Sequence, residues 1–143
     1  QLLKEIHRVL APGGVFLAPV MARPWEDNLF GSSLFGNSYK SWMRKKQIHL
    51  NLLSMDQWNS EFEKTGFKIV ESIGYLSPGA CRLIDICHYF SVPSLITYVF
   101  FKKWVLFPFL TSFIYPISYL SRTLAPNVDP STSGAIFYIL KKN

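Results

Sequence analysis

The chain has 143 residues, 49% hydrophobic and 17% charged, so it is long enough to bury one core and too apolar for a disordered tail. Fifteen Lys and Arg residues against nine Asp and Glu residues give a formal charge of +6, which favours anionic neighbours without fixing a fold. Two cysteines without CxxC spacing, and histidines without HxxxH spacing, predict free thiols in a reducing, cytoplasmic compartment and no metal site.

The first ten residues predict an amphipathic helix, because five apolar side chains recur at helical spacing along one stripe. Residues 12–14 (Pro-Gly-Gly) end this helix, and the apolar run 15–18 predicts a short strand buried on both faces, as in a parallel sheet. Helix, turn and buried strand indicate an open α/β fold. The stripe consists of Leu2, Leu3, Ile6, Val9 and Leu10.

A second helix and strand follow an irregular stretch. Residues 22–53 carry turn signals and predict little regular structure. Ser54 is then a good N-cap with Gln57 three positions later, which predicts a capping box at the start of a helix. Gly66 is the expected residue after the helix C-terminus, and residues 67–73 predict the next strand.

The composition changes at residue 86. Residues 86–128 contain no Asp or Glu, and two apolar runs, 89–101 and 104–120, flank Lys102 and Lys103. Each run contains proline and falls short of the roughly 20 residues that span a bilayer. We therefore predict short helices that are buried or lie at an interface, rather than membrane spans.

The order of these elements, with RVLAPGG at 8–14 and a final apolar strand at 134–142, resembles the second half of the class I S-adenosylmethionine-dependent methyltransferases. The resemblance extends over residues 2–20 and 53–76 and hardly touches 80–128. It implies an α/β fold that is the C-terminal half of a Rossmann-like methyltransferase sheet, with its fifth to seventh strands and their helices, plus an apolar helical insert before the last strand. The last strand would run antiparallel beside the fifth.

The resemblance predicts one partial domain, with an α/β part at 1–79, the apolar helical insert at 80–128 and the last strand at 129–143. The family's glycine-rich loop and its ribose-binding acidic residue have no counterpart, since no GxGxG occurs and the turn at 12–14 follows a helix. The chain also opens at Gln1, within a helical pattern. We therefore expect an inactive C-terminal piece of a parent enzyme, whose missing N-terminal part binds most of the cofactor, S-adenosylmethionine.

Candidate substrate-binding residues follow the first strand. In an open α/β sheet ligands bind beyond the carboxyl ends of the parallel strands, so residues 21–30 would face the substrate. Arg23 offers a charge for an anionic group and Trp25 a plate for stacking; the alternative is a solvated turn with Trp25 packed beneath it. Tyr39 and Trp42 are further substrate-binding candidates, with core or lid packing as their alternative.

His49 is the candidate catalytic residue, because an imidazole titrates near neutral pH and can act as a general base. Its alternative is an exposed residue ahead of the helix cap. The basic cluster Arg44, Lys45 and Lys46 has the charge to attract phosphate, but the absence of interleaved aromatic residues disfavours nucleic acid as a partner.

The acid-free segment 86–128 is the main clue to the acceptor. It suits a lipid-like acceptor or an anionic membrane surface, with Lys102, Lys103 and Arg122 at the headgroups. The alternative is a helical subdomain that packs on the sheet or forms a subunit interface. The leading hypothesis is methyl transfer to a small-molecule or lipid-linked acceptor, in the cytoplasm or at the membrane periphery. A non-catalytic membrane-associated or scaffolding module with a methyltransferase-like half-fold is the second hypothesis.

Overall fold

The chain forms a mixed α/β structure with a three-stranded antiparallel sheet. The structure is a computed structural model that describes residues 1–49, 51–105, 109 and 128–142. In chain order its elements are α1 (Leu2–Val9), β1 (Val15–Met21), α2 (Pro24–Asp27), α3 (Phe30–Gln47), α4 (Met55–Lys64), β2 (Phe67–Gly74), α5 (Pro78–Phe101) and β3 (Ala135–Lys142).

The last strand lies in the middle of the sheet. The strand order is β1-β3-β2, and β3 runs antiparallel to both neighbours, so β1 and β2 point in the same direction. Tyr138 pairs with Ala18 on one side and with Ser72 on the other. Ile136, Tyr138 and Leu140 are fully buried, as expected for alternate residues of a central strand. The predicted antiparallel pairing of the final strand with the first strand is confirmed.

The first strand is not buried on both faces, and that prediction was wrong. Phe16, Ala18 and Val20 face the core that α1 and α4 cover. On the opposite face Val15 is 55% exposed and Leu17 is 53% exposed. The reason is that β1 is an edge strand among the described residues, and the helices that pack on it cover a single face.

The apolar stripe of α1 is narrower than predicted. Leu3, Ile6 and Leu10 pack against the core of the sheet. Leu2 is 74% exposed and Val9 is 64% exposed, because these two lie at the margin of the stripe, turned away from the line through the other three.

The capping box that begins α4 is confirmed. The Ser54 hydroxyl accepts a hydrogen bond from the Gln57 backbone N–H at 3.3 Å, and the Gln57 side chain accepts one from the Ser54 N–H at 3.0 Å. The helix ends at Gly66, whose φ of +91° requires glycine. The Trp58 indole donates a hydrogen bond to the Met21 carbonyl at 3.1 Å, which joins α4 to the end of β1.

Residues 22–53 are more regular than predicted, because α2 and the long helix α3 lie within them. The segment Gly31-Ser32-Ser33, which has the composition of a turn, forms the first turn of α3. A partner distant in sequence holds it there, since the Gly31 N–H donates to the Asp85 carboxylate of α5 at 2.8 Å. A kink at Gly36, with φ of 57° and ψ of −136°, divides α3.

The start of the apolar segment forms one long helix rather than short ones, so this prediction was also wrong. Ser77 caps α5, its hydroxyl accepting from the Ala80 N–H at 3.1 Å, and the helix then continues through Pro93. An internal proline removes a single helical hydrogen bond, and α5 tolerates that loss. By length and composition α5 is the one helix among the described residues that is able to cross a membrane. Most of the run 104–120, and Arg122, lie outside the described residues.

Candidate functional site

The carboxyl ends of β1 and β2 lie at the same end of the sheet, since the two strands point in the same direction. The chain passes from β1 into α2 and α3, and from β2 into α5. These three helices therefore meet at the sheet end where the sequence predicts substrate binding. They share a second apolar core made of Trp25, Leu29, Tyr39, Met43 and Cys81.

A buried carboxylate lies where these helices meet. Asp85 of α5 is 2% exposed. Its Oδ2 accepts from the Gly31 N–H at 2.8 Å, and its Oδ1 accepts from the Tyr39 hydroxyl at 2.5 Å. The Tyr89 hydroxyl lies 2.7 Å from that of Tyr39 and completes a chain of three side chains. We call Gly31, Tyr39, Asp85 and Tyr89 the Asp85 cluster.

The direction of the hydrogen bonds in the Asp85 cluster follows from the chemistry of its members. Burial, followed by the hydrogen bonds to Asp85 and Tyr89, raises the pKa of Tyr39 above its usual range, so Tyr39 keeps its proton. A carboxylate only accepts, so Tyr39 donates to Asp85 and Tyr89 donates to Tyr39. Tyr89 is 47% exposed. Its oxygen keeps acceptor lone pairs, to which an O–H or N–H group of a ligand that reaches this partly exposed side chain can donate.

The sequence analysis identified Tyr39 as a candidate but missed its two hydrogen-bonding partners, Asp85 and Tyr89. A signal was present, because Asp85 is the last acid before 43 residues without any. An acidic residue in such surroundings is rarely buried without a hydrogen-bonding partner. Tyr89 had no comparable signal, since aromatic residues surround it.

The two tryptophan candidates occupy different environments beside Tyr39. Trp25 is 6% exposed within the shared core, and its indole N–H donates to the Gln47 side chain at 3.2 Å. Trp42 is 47% exposed, and its ring centroid lies 5.6 Å from that of Tyr39. Trp42 thus offers an accessible aromatic surface next to the Asp85 cluster.

Arg23 and His49 lie outside the contacts of the Asp85 cluster. Arg23 is an exposed residue at the N-cap of α2, and its backbone N–H donates to the Leu53 carbonyl at 3.0 Å. His49 is half-buried just beyond α3, where its backbone N–H donates to the Arg44 carbonyl at 3.1 Å. The structure thus brings Trp25, Tyr39 and Trp42 together and leaves the catalytic candidate apart.

Arg44 of the basic cluster has an internal partner. Its Nε and Nη2 donate to the two carboxylate oxygens of Glu26, whose side chain is 4% exposed. This pairing raises the pKa of Arg44 further above its usual value. Arg44 therefore fixes α3 to α2, and Lys45 and Lys46 are exposed charges.

A groove of about 850 Å³ lies elsewhere, between α1, β1 and α4. Its apolar walls belong to the core of the sheet, including Phe16 and Phe62. Three of its polar lining residues, Gln57, Glu61 and Lys64, already bond within α4 or to its cap. No predicted site residue lines the groove. We therefore place the candidate site at the Asp85 cluster.

Comparison with known protein families, curated proteins and solved structures finds no match to this chain. The Gly13-Gly14 turn enters β1 at its amino end, opposite the Asp85 cluster, and the Gly13 N–H donates to the Lys142 carbonyl at 3.2 Å. The Lys142 N–H donates in return to the Gly14 carbonyl at 2.9 Å, so this turn is joined to the end of β3.

Proposed function

We propose that this chain is the C-terminal part of a class I S-adenosylmethionine-dependent methyltransferase, and that the parent enzyme methylates a small-molecule or lipid-linked acceptor. One observation supports the proposal above the others. The last strand, β3, lies antiparallel between β1 and β2, which point the same way. The resemblance requires this placement of the last strand beside the fifth. The RVLAPGG string at 8–14, which ends α1 ahead of β1, supports the same resemblance.

In this proposal the methyl donor binds mainly to residues that precede this chain in the parent enzyme. The described residues supply the acceptor side instead. The Asp85 cluster occupies the sheet end where α/β folds bind ligands, and it presents the Tyr89 oxygen as a hydrogen-bond acceptor. An acceptor with a hydroxyl or amine would donate to this oxygen, which orients the nucleophile while its lone pair stays directed away from Tyr89.

Positioning of this kind is enough to account for a large part of the rate of methyl transfer, because holding two reactants in line removes much of the entropic barrier. Trp42, whose ring is tilted by 40° against that of Tyr39, would cover an apolar or flat portion of the acceptor. Tyr89 and Trp42 are therefore the substrate-facing residues of the proposal, with Asp85 and Tyr39 as positioning residues behind them.

The test uses the parent protein encoded by the uninterrupted reading frame. We expect it to bind S-adenosylmethionine in calorimetry and to transfer a labelled methyl group to a component of a lipid and small-molecule extract. Tyr89→Phe should lower kcat/KM by about tenfold, the value of one lost hydrogen bond, without changing the affinity for S-adenosylmethionine. Tyr75→Phe is the matched control, since Tyr75 is 42% exposed and lies outside the Asp85 cluster.

A parent protein that binds no S-adenosylmethionine would overturn the methyltransferase proposal and leave the non-catalytic module. A parent enzyme that is active but unaffected by Tyr89→Phe would instead move the acceptor site away from the Asp85 cluster.

A further inference from the structure

The C-terminal half of α5 carries an apolar stripe on the surface of the protein. Val92, Leu95, Ile96 and Val99 recur at i, i+3, i+4 and i+7, which places them on one face of the helix. Their exposed fractions are 51%, 51%, 54% and 59%, and neighbouring Phe100 is 76% exposed. We call these five residues the α5 stripe. A soluble surface rarely leaves such a continuous apolar face uncovered.

The other side of this half-helix carries small hydroxyl side chains. Ser91, Ser94 and Thr97 lie on it, by the same helical geometry. The Ser91 hydroxyl donates to the His88 carbonyl at 2.5 Å, and the Thr97 hydroxyl donates to the Ser94 carbonyl at 2.9 Å. The hydroxyl residues share this side of the half-helix with Tyr98 and Phe101, so the α5 stripe is the continuous apolar face and the other side is mixed.

The end of α5 carries residue types that favour the interface between water and lipid. Lys102 ends the helix with φ of 56°, and its Nζ lies 5.6 Å from the centre of the Tyr98 ring. The Tyr98 and Trp104 rings stack with their centroids 4.4 Å apart. Lys103 adds a second charge, and no acid occurs from residue 86 to 128. Aromatic rings and lysines of this kind sit at headgroup level, where the lysines pair with anionic lipids.

The length of the exposed part decides how such a helix would meet a bilayer. Asp85 and the residues before it are held among α2, α3 and the sheet. The 16 residues of α5 that follow Asp85, 86–101, extend about 24 Å, and Tyr89 among them also bonds to α3. That is less than the roughly 30 Å of bilayer hydrocarbon. An upright helix would also leave the Lys102 charge within the hydrocarbon, which is costly. A helix lying in the plane of the surface avoids both problems.

We propose that the α5 stripe docks on one leaflet of a bilayer that contains anionic lipid, with α5 lying along the surface and Lys102, Lys103 and Trp104 among the headgroups. The positive charges of Lys102 and Lys103 favour an anionic lipid surface as the partner of this face. A second copy of the chain would bring the same lysines and the same acid-free surface, and so would offer no opposite charge. The inference does not depend on methyl transfer, because it uses no residue of the Asp85 cluster other than Asp85 as the buried end of the helix.

The test measures co-sedimentation of the protein with vesicles of phosphatidylcholine alone and of phosphatidylcholine with phosphatidylglycerol. We expect binding to the anionic vesicles and a blue shift of tryptophan fluorescence that Trp104→Phe removes. Lys102→Gln with Lys103→Gln should weaken that binding about 25-fold, since each lysine near an anionic surface contributes about a 5-fold factor. Ile96→Gln with Val99→Gln should weaken binding to both vesicles by at least tenfold.

Ser91→Gln with Ser94→Gln is the matched control on the opposite face of α5, and we expect its binding to stay within twofold of the unchanged protein. Circular dichroism and thermal melting identify any variant that fails to fold, and Val92→Gln with Leu95→Gln then replaces it as the stripe variant. Absence of binding to anionic vesicles, or unchanged binding by a folded stripe variant, would overturn the proposal. A dimer that the stripe variant dissociates, without vesicle binding, would assign the α5 stripe to a second copy and would overturn it as well.

Discussion

The Tyr39 hydroxyl donates a 2.5 Å hydrogen bond to Asp85, although 46 positions separate the two residues in the chain. Tyr39 is 8% exposed and Asp85 is 2% exposed, so water does not compete for the bond. Because Gly31 also donates to Asp85, one carboxylate fixes both the first turn and the middle of α3 against α5. The position of Trp42 and of Tyr89 depends on this connection.

Asp85→Asn should lower the free energy of unfolding by about 2 kcal/mol, the range for a buried hydrogen bond to a charged group. The amide can accept one of the two hydrogen bonds, but its NH₂ group would then face the other donor. Urea denaturation monitored by circular dichroism measures the change. Glu71→Gln, at an exposed position of β2, is the control and should remain within 0.5 kcal/mol of the unchanged protein. Equal stability of the two variants would contradict the central role of Asp85.

Arg44→Ala should destabilise the protein more than the same change at the adjacent Lys45. Removing Arg44 leaves the buried Glu26 carboxylate without its partner. A fully buried pair would lose more, but Arg44 is itself 52% exposed and water reaches the site, so we expect about 1 to 2 kcal/mol. Lys45→Ala, which removes an exposed charge, should change the stability by less than 0.5 kcal/mol. The comparison uses the same urea titration, and a larger effect at Lys45 would show that the Glu26 contact is unimportant.

The stability of the protein should depend on pH through Cys81. Burial raises the pKa of the Cys81 thiol to about 11. The folded state then holds the thiol proton more tightly than the unfolded state, whose thiol has a pKa of about 8.5. This contribution to stability is complete below the unfolded pKa and is lost as the pH rises towards 11, by on the order of 2 to 3 kcal/mol.

The measurement for Cys81 is the stability difference between the unchanged protein and Cys81→Ala, followed from pH 7.5 to 10.5. We expect this difference to shrink with rising pH. Cys87→Ala is the control for the loss of a thiol, because Cys87 is exposed. A thiol reagent at pH 8 should likewise modify Cys87 rapidly and Cys81 slowly. Equal reaction rates would contradict the burial of Cys81.

Titration of S-adenosylmethionine into this chain alone should give no measurable heat. The turn at 12–14 lies at the amino end of β1 and no GxGxG occurs in the chain, so under the proposed function the groups that bind the cofactor belong to the rest of the parent enzyme. Isothermal calorimetry on the chain and on the parent protein measures whether S-adenosylmethionine binds to this chain alone or only to the parent protein. Micromolar binding by the chain itself would refute its interpretation as the part that lies beyond the cofactor site.

Local patterns predicted those parts of the fold that depend on neighbouring residues. The capping box of Ser54 and Gln57, the end of α4 at Gly66 and the apolar final strand are of this kind. The capping box and the end of α4 depend on contacts within a few positions, so the sequence contains their whole signal, and the apolar run at the C-terminus indicates a buried strand without naming its partners. The antiparallel pairing of the last strand came from the family resemblance and not from any local pattern.

Long-range contacts account for the errors. The first turn of α3 has the composition of a loop, and the bond from Gly31 to Asp85, 54 positions away, makes it helical. The spacing of residues along the sequence could not predict the Asp85 cluster either, because its members come from α3 and α5, which α4 and β2 separate in the chain. The exposure of Val15 and Leu17 depends on what packs against each face of the sheet, which a run of apolar letters does not specify. Predictions for most of 104–120 lie outside the described residues.

Gly134 lies at a position where the structure leaves no room for a side chain. A Cβ at Gly134 would lie 2.5 Å from the Cys81 sulfur and 3.2 Å from the Trp25 Cα, so β3, α5 and α2 meet where only a hydrogen atom fits. A saturation library should therefore retain glycine alone at position 134. The same library should accept any apolar residue along the α5 stripe, where size is unconstrained and only hydrophobicity matters. We therefore expect substitutions to be rejected at Gly134, where β3, α5 and α2 meet, and apolar substitutions to be accepted along the α5 stripe.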